Sequence, residues 1–127
     1  MPARYLLLNS KGFTLIELIA VLVILSTLFA LVIPRFIDLA ESAERKALDF
    51  AIAELDSREC LAWAKIKLSV PGWQNDDEVR AHVDYNLGSE YSWRAGPEAT
   101  GGTLDFKTKY MNLHRIVSTS TSAPDWH

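Results

Sequence analysis

Glu17 stands in surroundings that a carboxylate avoids. It lies within residues 13–33, FTLIELIAVLVILSTLFALVI, a run of 21 in which only Thr14, Glu17, Ser26 and Thr27 are polar. An acid in such a run is expensive to bury and usually has a partner. On the residues alone two chemistries stay open. In one, Glu17 sits near enough to the lipid headgroups to snorkel, or carries a proton. In the other it meets a cation. If the chain were cut between Gly12 and Phe13, the new α-amino group of Phe13 would lie one helical turn from Glu17, within reach of the Glu17 of a neighbouring subunit.

The other residues able to do chemistry are scattered. His82, His114 and His127 share no metal-ligand spacing, which makes them surface or packing residues. Ser89, Ser92 and the serines of the tail have no nucleophile elbow around them, and Gly101-Gly102 reads as a turn, not as a phosphate cradle. Cys60, the single cysteine, follows Glu59 in a helical pattern, where a neighbouring acid would raise its pKa; it reads as a packing residue. Asn75-Asp76-Asp77-Glu78 competes as a calcium loop, but liganding loops space their acids two apart, so helix capping is preferred. No catalytic residue, cofactor site or metal site is expected. With a formal charge of −3 and basic residues scattered along the chain without a cluster larger than Arg45-Lys46, no nucleic-acid partner is expected either.

These residues must be held by a chain of 127 residues, 49% apolar and 23% charged, enough for one folded domain. A helix over residues 13–33 would be roughly 31 Å long, the thickness of a bilayer's hydrocarbon core. The preceding twelve residues hold Arg4 and Lys11 and no acid, which sets them on the cytoplasmic side and exports the rest. The run ends in LFALVIPRF without an A-x-A site. That leaves either an uncut signal anchor or a leader cut before the apolar run.

The string Lys11-Gly12-Phe13-Thr14-Leu15-Ile16-Glu17 ahead of this helix resembles the prepilin leader of type IV pilins and of the pseudopilins of type II secretion systems. The resemblance implies a prepilin peptidase that cuts after Gly12 and methylates Phe13. It also implies an assembly role for Glu17 and a helix kink at Pro34. Loss of the leader removes two basic residues and no acid, so the formal charge goes from −3 to −5. The cysteine pair that closes a C-terminal loop in many type IV pilins is missing.

Past Pro34 the pattern stays helical and becomes amphipathic, with no Gly or Pro from Arg35 to Leu68. Leu48, Ile52, Leu55, Ala62 and Ile66 share a face that only Glu59 interrupts, and Pro71-Gly72 stops the helix. A continuous helix over 13–69 would be roughly 85 Å long, loosened near Pro34. Phe29, Phe36, Ala43 and Phe50 recur every seven residues as a stripe that wants a partner: lipid and the head in a monomer, neighbouring helices in a filament. Next, a short helix is expected from Asn75 to about Tyr85. Two or three antiparallel strands are expected from Tyr91-Trp93, Leu104-Phe106 and the apolar set Met111-Val117, with AGPEATGG as a loop, and two readings of the tail stay open, pinned to the head by Trp126 or flexible and exposed.

The expected fold is α+β and pilin-like, with the exposed half of a long helix packed on a small antiparallel sheet. The expected divisions are a leader over 1–12, a long helix over 13–69 with a transmembrane and assembly half (13–34) and an amphipathic half (35–69), and a head over 70–127. The expected function is that of a structural subunit, not an enzyme. It would wait in a bacterial inner membrane as a single-pass protein with a cytoplasmic N-terminus, then enter a periplasmic or extracellular filament. Its implied partners are that membrane, the prepilin peptidase, other pilin or pseudopilin subunits and, indirectly, an assembly platform and its ATPase. The alternatives are a type II secretion pseudopilin, a monomeric signal-anchored periplasmic domain, and an electron-conducting filament in which Phe29, Phe36 and Phe50 would take part.

Overall fold

The structure is a computed structural model that describes residues 12–127; the leader expected over 1–12 therefore lies, except for Gly12, outside the described residues. The chain divides into two compact units, Met1–Leu39 and Ala40–His127. The first unit holds the start of helix α1, which runs from Leu15 to Leu68. Its helical assignment is unbroken across Pro34, although the missing N–H there deprives the carbonyl four residues back of its usual donor.

In the second unit, α1 is joined by α2 (Asp76–Ala81) and by four strands: β1 (Tyr91–Glu98), β2 (Gly101–Phe106), β3 (Lys109–Ile116) and β4 (Asp125–Trp126). The strands form one antiparallel sheet in the order β1-β2-β3-β4. This is the α+β, pilin-like arrangement. Leu48, Ala51 and Leu55 of α1 pack against Leu104, Leu113 and Trp126 of the sheet. Further along α1, Ala62 and Ile66 close over Val79 of α2, beside Trp63 and Trp73. Trp126 is buried, and its backbone N–H donates to Asp56 Oδ1 at 2.8 Å, so the tail is fixed to the head.

Several local readings change. The short helix ends at Ala81, not near Tyr85, because the next residues bond elsewhere. Arg58 draws the carbonyls of Asp84 and Asn86, at 2.7 and 2.9 Å, and the Trp93 indole N–H takes that of Tyr85. Most of AGPEATGG is strand, and only Ala99-Thr100 turn between β1 and β2. Gly101 is a strand residue with φ +139°, and a Cβ there would come 2.1 Å from the Leu113 carbonyl oxygen. Its turn-like composition reflects close backbone approach. Cys60 is exposed, not packed, since one helical step of about 100° separates it from inward-facing Glu59.

Candidate assembly site

The candidate site begins at the N-terminus of α1. Phe13 and Thr14 precede the first helical residue, and Thr14 occupies the N-cap position with Glu17 three residues on. Glu17 Oε2 accepts the Thr14 backbone N–H and the Thr14 hydroxyl, each at 2.8 Å. The Glu17 N–H in turn donates to Thr14 Oγ1 at 3.3 Å. This reciprocal arrangement is a capping box, and it satisfies donors that a helix start otherwise leaves open. The T-x-x-E spacing is visible in the sequence, yet the apolar setting of Glu17 draws attention to an external cation instead. Both roles fit one carboxylate: Oε2 is engaged by Thr14, while Oε1 takes no hydrogen bond among the described residues.

Beyond the cap the helix carries no charged side chain until Arg35. The Ser26 and Thr27 hydroxyls donate to carbonyls three residues back, at 2.8 and 2.7 Å, which satisfies them within the helix and leaves its surface apolar. Every residue from 12 to 40 is exposed in the isolated chain. Among the described residues one helix is long and apolar enough to cross a membrane, and its apolar segment is the part nearest the N-terminus. Leu31, Val32, Phe36 and Leu39 border a shallow apolar cleft at the end of this segment, with Arg35 on its rim.

The aromatic stripe is exposed throughout. Phe29 is 57%, Phe36 65% and Phe50 74% accessible. The head thus does not cover the upper part of the stripe: Phe50 belongs to the second unit but faces away from its core, beside a shallow cleft lined by Glu54, Leu87 and Tyr91.

The second unit also contains a polar centre that the sequence pattern shows only as a break in an apolar face. Glu59 and Arg115 are both buried. The Arg115 Nε–H is shared between the two Glu59 oxygens at 3.0 and 2.9 Å, and its terminal nitrogens grip both oxygens of Asp76 at 2.7 and 3.0 Å. The Tyr85 hydroxyl donates to Glu59 Oε1 at 2.6 Å. Burial, together with the hydrogen bond to Glu59 and its charge, pushes the Tyr85 phenol well above its usual range. Burial alone would raise the Asp76 carboxyl, but hydrogen bonds from Arg115 and Ser118 outweigh it and hold the group below its ordinary value. These contacts tie α1, α2 and β3 together. A helix-face acid and an arginine in an alternating strand are weak signals individually, and only the fold pairs them.

Comparison with known proteins bears on the whole chain. Residues 7–33 match the family described as the prokaryotic N-terminal methylation motif. The type IV narrow pilus major component PilA5 of Thermus thermophilus is 33% identical over 114 residues, which cover 90% of this chain and 95% of that protein. No solved structure matches. A likeness of this extent, running through both the apolar helix and the head, means that the chain belongs to the type IV pilin family, a family of structural subunits.

Proposed function

We propose that this pilin is a filament-forming subunit that is cut between Gly12 and Phe13, methylated at Phe13, and drawn from the inner membrane into a pilus. The observation that carries this reading is the apolar half of α1: it is exposed over its whole length in the single chain, and no described residue covers it. In the membrane, lipid would surround it. In a filament, the same surface would be buried against the helices of other copies, with Phe29, Phe36 and Phe50 as packing residues. The relative PilA5 is by its name the major component of a narrow pilus, which supports a pilus subunit role here.

Cleavage would create a cation for the Glu17 carboxylate. The Phe13 amine of one subunit would meet Glu17 Oε1 of the next, while Oε2 keeps its bonds to Thr14. An unpaired charge in a core of apolar helices is strongly unfavourable, so this pairing would fix the axial register of successive subunits. Pro34 marks the point where α1 could loosen as it packs, because one backbone hydrogen bond is already absent there. A pseudopilin would use the same steps; deletion of the gene separates the two, since a pilus subunit's loss removes surface filaments and a pseudopilin's loss blocks protein export.

The direct test is the intact mass and N-terminal sequence of the protein from cells with and without their prepilin peptidase. A mature chain beginning at N-methylated Phe13, formed only when the peptidase is present, is the expected result. An uncut chain in both strains would reject the processing step and favour a simple signal anchor.

A further inference from the structure

We propose that His114 and His127 form a two-imidazole site for a divalent transition-metal ion of the Zn2+ or Cu2+ class on the solvent face of the sheet. Thirteen positions apart, they share no sequence motif, and only the pairing of β3 with β4 brings them together. Arg115 pairs with Trp126 in that ladder. One step along it, His114 and His127 exchange backbone hydrogen bonds, N–H of His114 to O of His127 at 2.7 Å and the reverse at 3.0 Å. Residues paired in this way point their side chains to the same face. The two rings lie with centroids 5.0 Å apart and planes at 46°.

That separation suits chelation. Imidazole nitrogens bind zinc at about 2.0–2.1 Å, which puts each ring centre about 3.2 Å from the ion; ligand angles between about 90° and 109° then place the two ring centres about 4.5–5.2 Å apart. Imidazole nitrogen favours zinc, copper or nickel over the oxygen-seeking calcium and magnesium. The surroundings leave space for the ion. On the β2 side His114 faces Gly101, which has no side chain to compete. Both histidines are exposed, and Asp125 Oδ2 lies 3.6 Å from His127 Nδ1, where it can hold that nitrogen as the protonated one and leave Nε2 to bind.

The scaffold under His127 is firm. Its neighbour Trp126 is buried and bonded through its backbone to Asp56, so the second imidazole is placed by the core and not by a loose tail. Among the described residues no three His, Cys, Asp or Glu side chains converge. The ion would therefore have two protein nitrogens and complete its shell with water, and it would clip the two-residue strand β4 to β3.

The test uses the untagged full chain in detergent micelles, titrated with Cu2+ and followed by electron paramagnetic resonance, and separately with Zn2+ followed by calorimetry and thermal melting. The expected result is one ion per chain, a hyperfine pattern from two imidazole nitrogens, and a melting temperature raised by Zn2+. His114→Gln and His127→Gln should each weaken binding at least about tenfold, since each removes one arm of the chelate, and should abolish the Zn2+ shift. His82→Gln should change neither. Circular dichroism checks that the variants fold, and the wild-type hyperfine pattern stands without them. A pattern from one nitrogen or none, or binding that both glutamine variants retain, would overturn the proposal and leave the rings as a tilted contact pair only.

Discussion

The Arg115 guanidinium and the Glu59 carboxylate meet in the interior of the head, with Nε 3.0 and 2.9 Å from the two carboxylate oxygens and both side chains fully buried. The pair joins β3 to the amphipathic half of α1. Its stabilising value depends on completeness, since the charges are costly to desolvate and are offset only while each oxygen and N–H is engaged. Removing one partner strands the other. Arg115→Met should therefore destabilise the head by about 3–5 kcal/mol by stranding Glu59 and Asp76 together, and the Arg115→Met/Glu59→Met double variant should recover only the share owed to Glu59, since Asp76 still lacks its arginine. Denaturant titration of the full chain in detergent measures both. Equal losses in the single and double variants would mean that the stranded Glu59 charge is not what carries the energy.

Acid should weaken the head through Asp76. Its folded-state carboxyl lies below the ordinary value of 3.8, because bonds from Arg115 and Ser118 outweigh the effect of burial. A depressed acid contributes stability that is fully present above the unfolded value and is lost as pH falls through the folded one. The melting temperature should then drop below about pH 4, and Asp76→Asn should flatten that limb while lowering stability at neutral pH. An acid limb that is unchanged in Asp76→Asn would assign it to other carboxylates.

Asp56 should behave with the opposite sign. Burial is the main cause of its raised carboxyl, and the nearby acids Asp125 and Glu59 add to it, against the opposing bond from the Trp126 N–H. A raised acid costs stability once pH exceeds the unfolded value, because the folded state holds its proton longer than the unfolded chain. Asp56→Asn keeps an oxygen for Trp126 and removes the charge. It should melt at or slightly above the wild type at pH 7, and Asp56→Ala should melt lower, because the Trp126 N–H loses its acceptor. Thermal melts of the two variants side by side check the order.

Much of this architecture can be read from residue pattern, and the failures share a cause. The face of Leu48, Leu55, Ala62 and Ile66 follows helical spacing and is buried as that spacing requires. Asn75 caps α2 through its side chain, which accepts the Glu78 N–H at 3.0 Å, so local chemistry suffices there too. What composition obscures is long-range pairing. Gly101 looks like a turn residue because its need for a bare backbone comes from β3, twelve positions away. Glu59 looks like a flaw because its partners sit on β3 and on the segment holding Tyr85. His114 and His127 carry no motif because their relation exists only in the β3–β4 ladder.

Glu17 caps the helix, the proposed register role would be a second and separable function, and Glu17→Gln distinguishes the two. Glutamine serves in a capping box as glutamate does, so this variant would keep the Thr14 contacts while carrying no charge for a neighbour's amine. Glu17→Ala removes both. If register depends on the ion pair, both variants should insert in the membrane and both should lose filaments. If the cap is what matters, Glu17→Gln should assemble normally, and Thr14→Val should fail with Glu17→Ala. Counting filaments by electron microscopy, beside the amount of membrane-inserted subunit, reads the outcome.

Exposure of the aromatic stripe separates folding from assembly in a similar way. Phe50 is 74% accessible although it sits on the same helix as the buried Leu48 and Ala51, so its ring contributes little to the head's own core. Phe50→Ser should change the head's stability by no more than about 0.5 kcal/mol, as expected of a surface position. Leu55, fully buried further along the helix, should cost about 2–5 kcal/mol when cut to alanine. In filaments the order should reverse in its cause: Phe50→Ser would deplete them while the folded signature of the head is intact, whereas Leu55→Ala would deplete them only in proportion to the subunit lost through unfolding. Filament yield normalised to folded subunit, measured for both variants, tests this directly. A normal yield for Phe50→Ser would remove Phe50 from the packing surface and confine that surface to the part of α1 that holds Phe29 and Phe36.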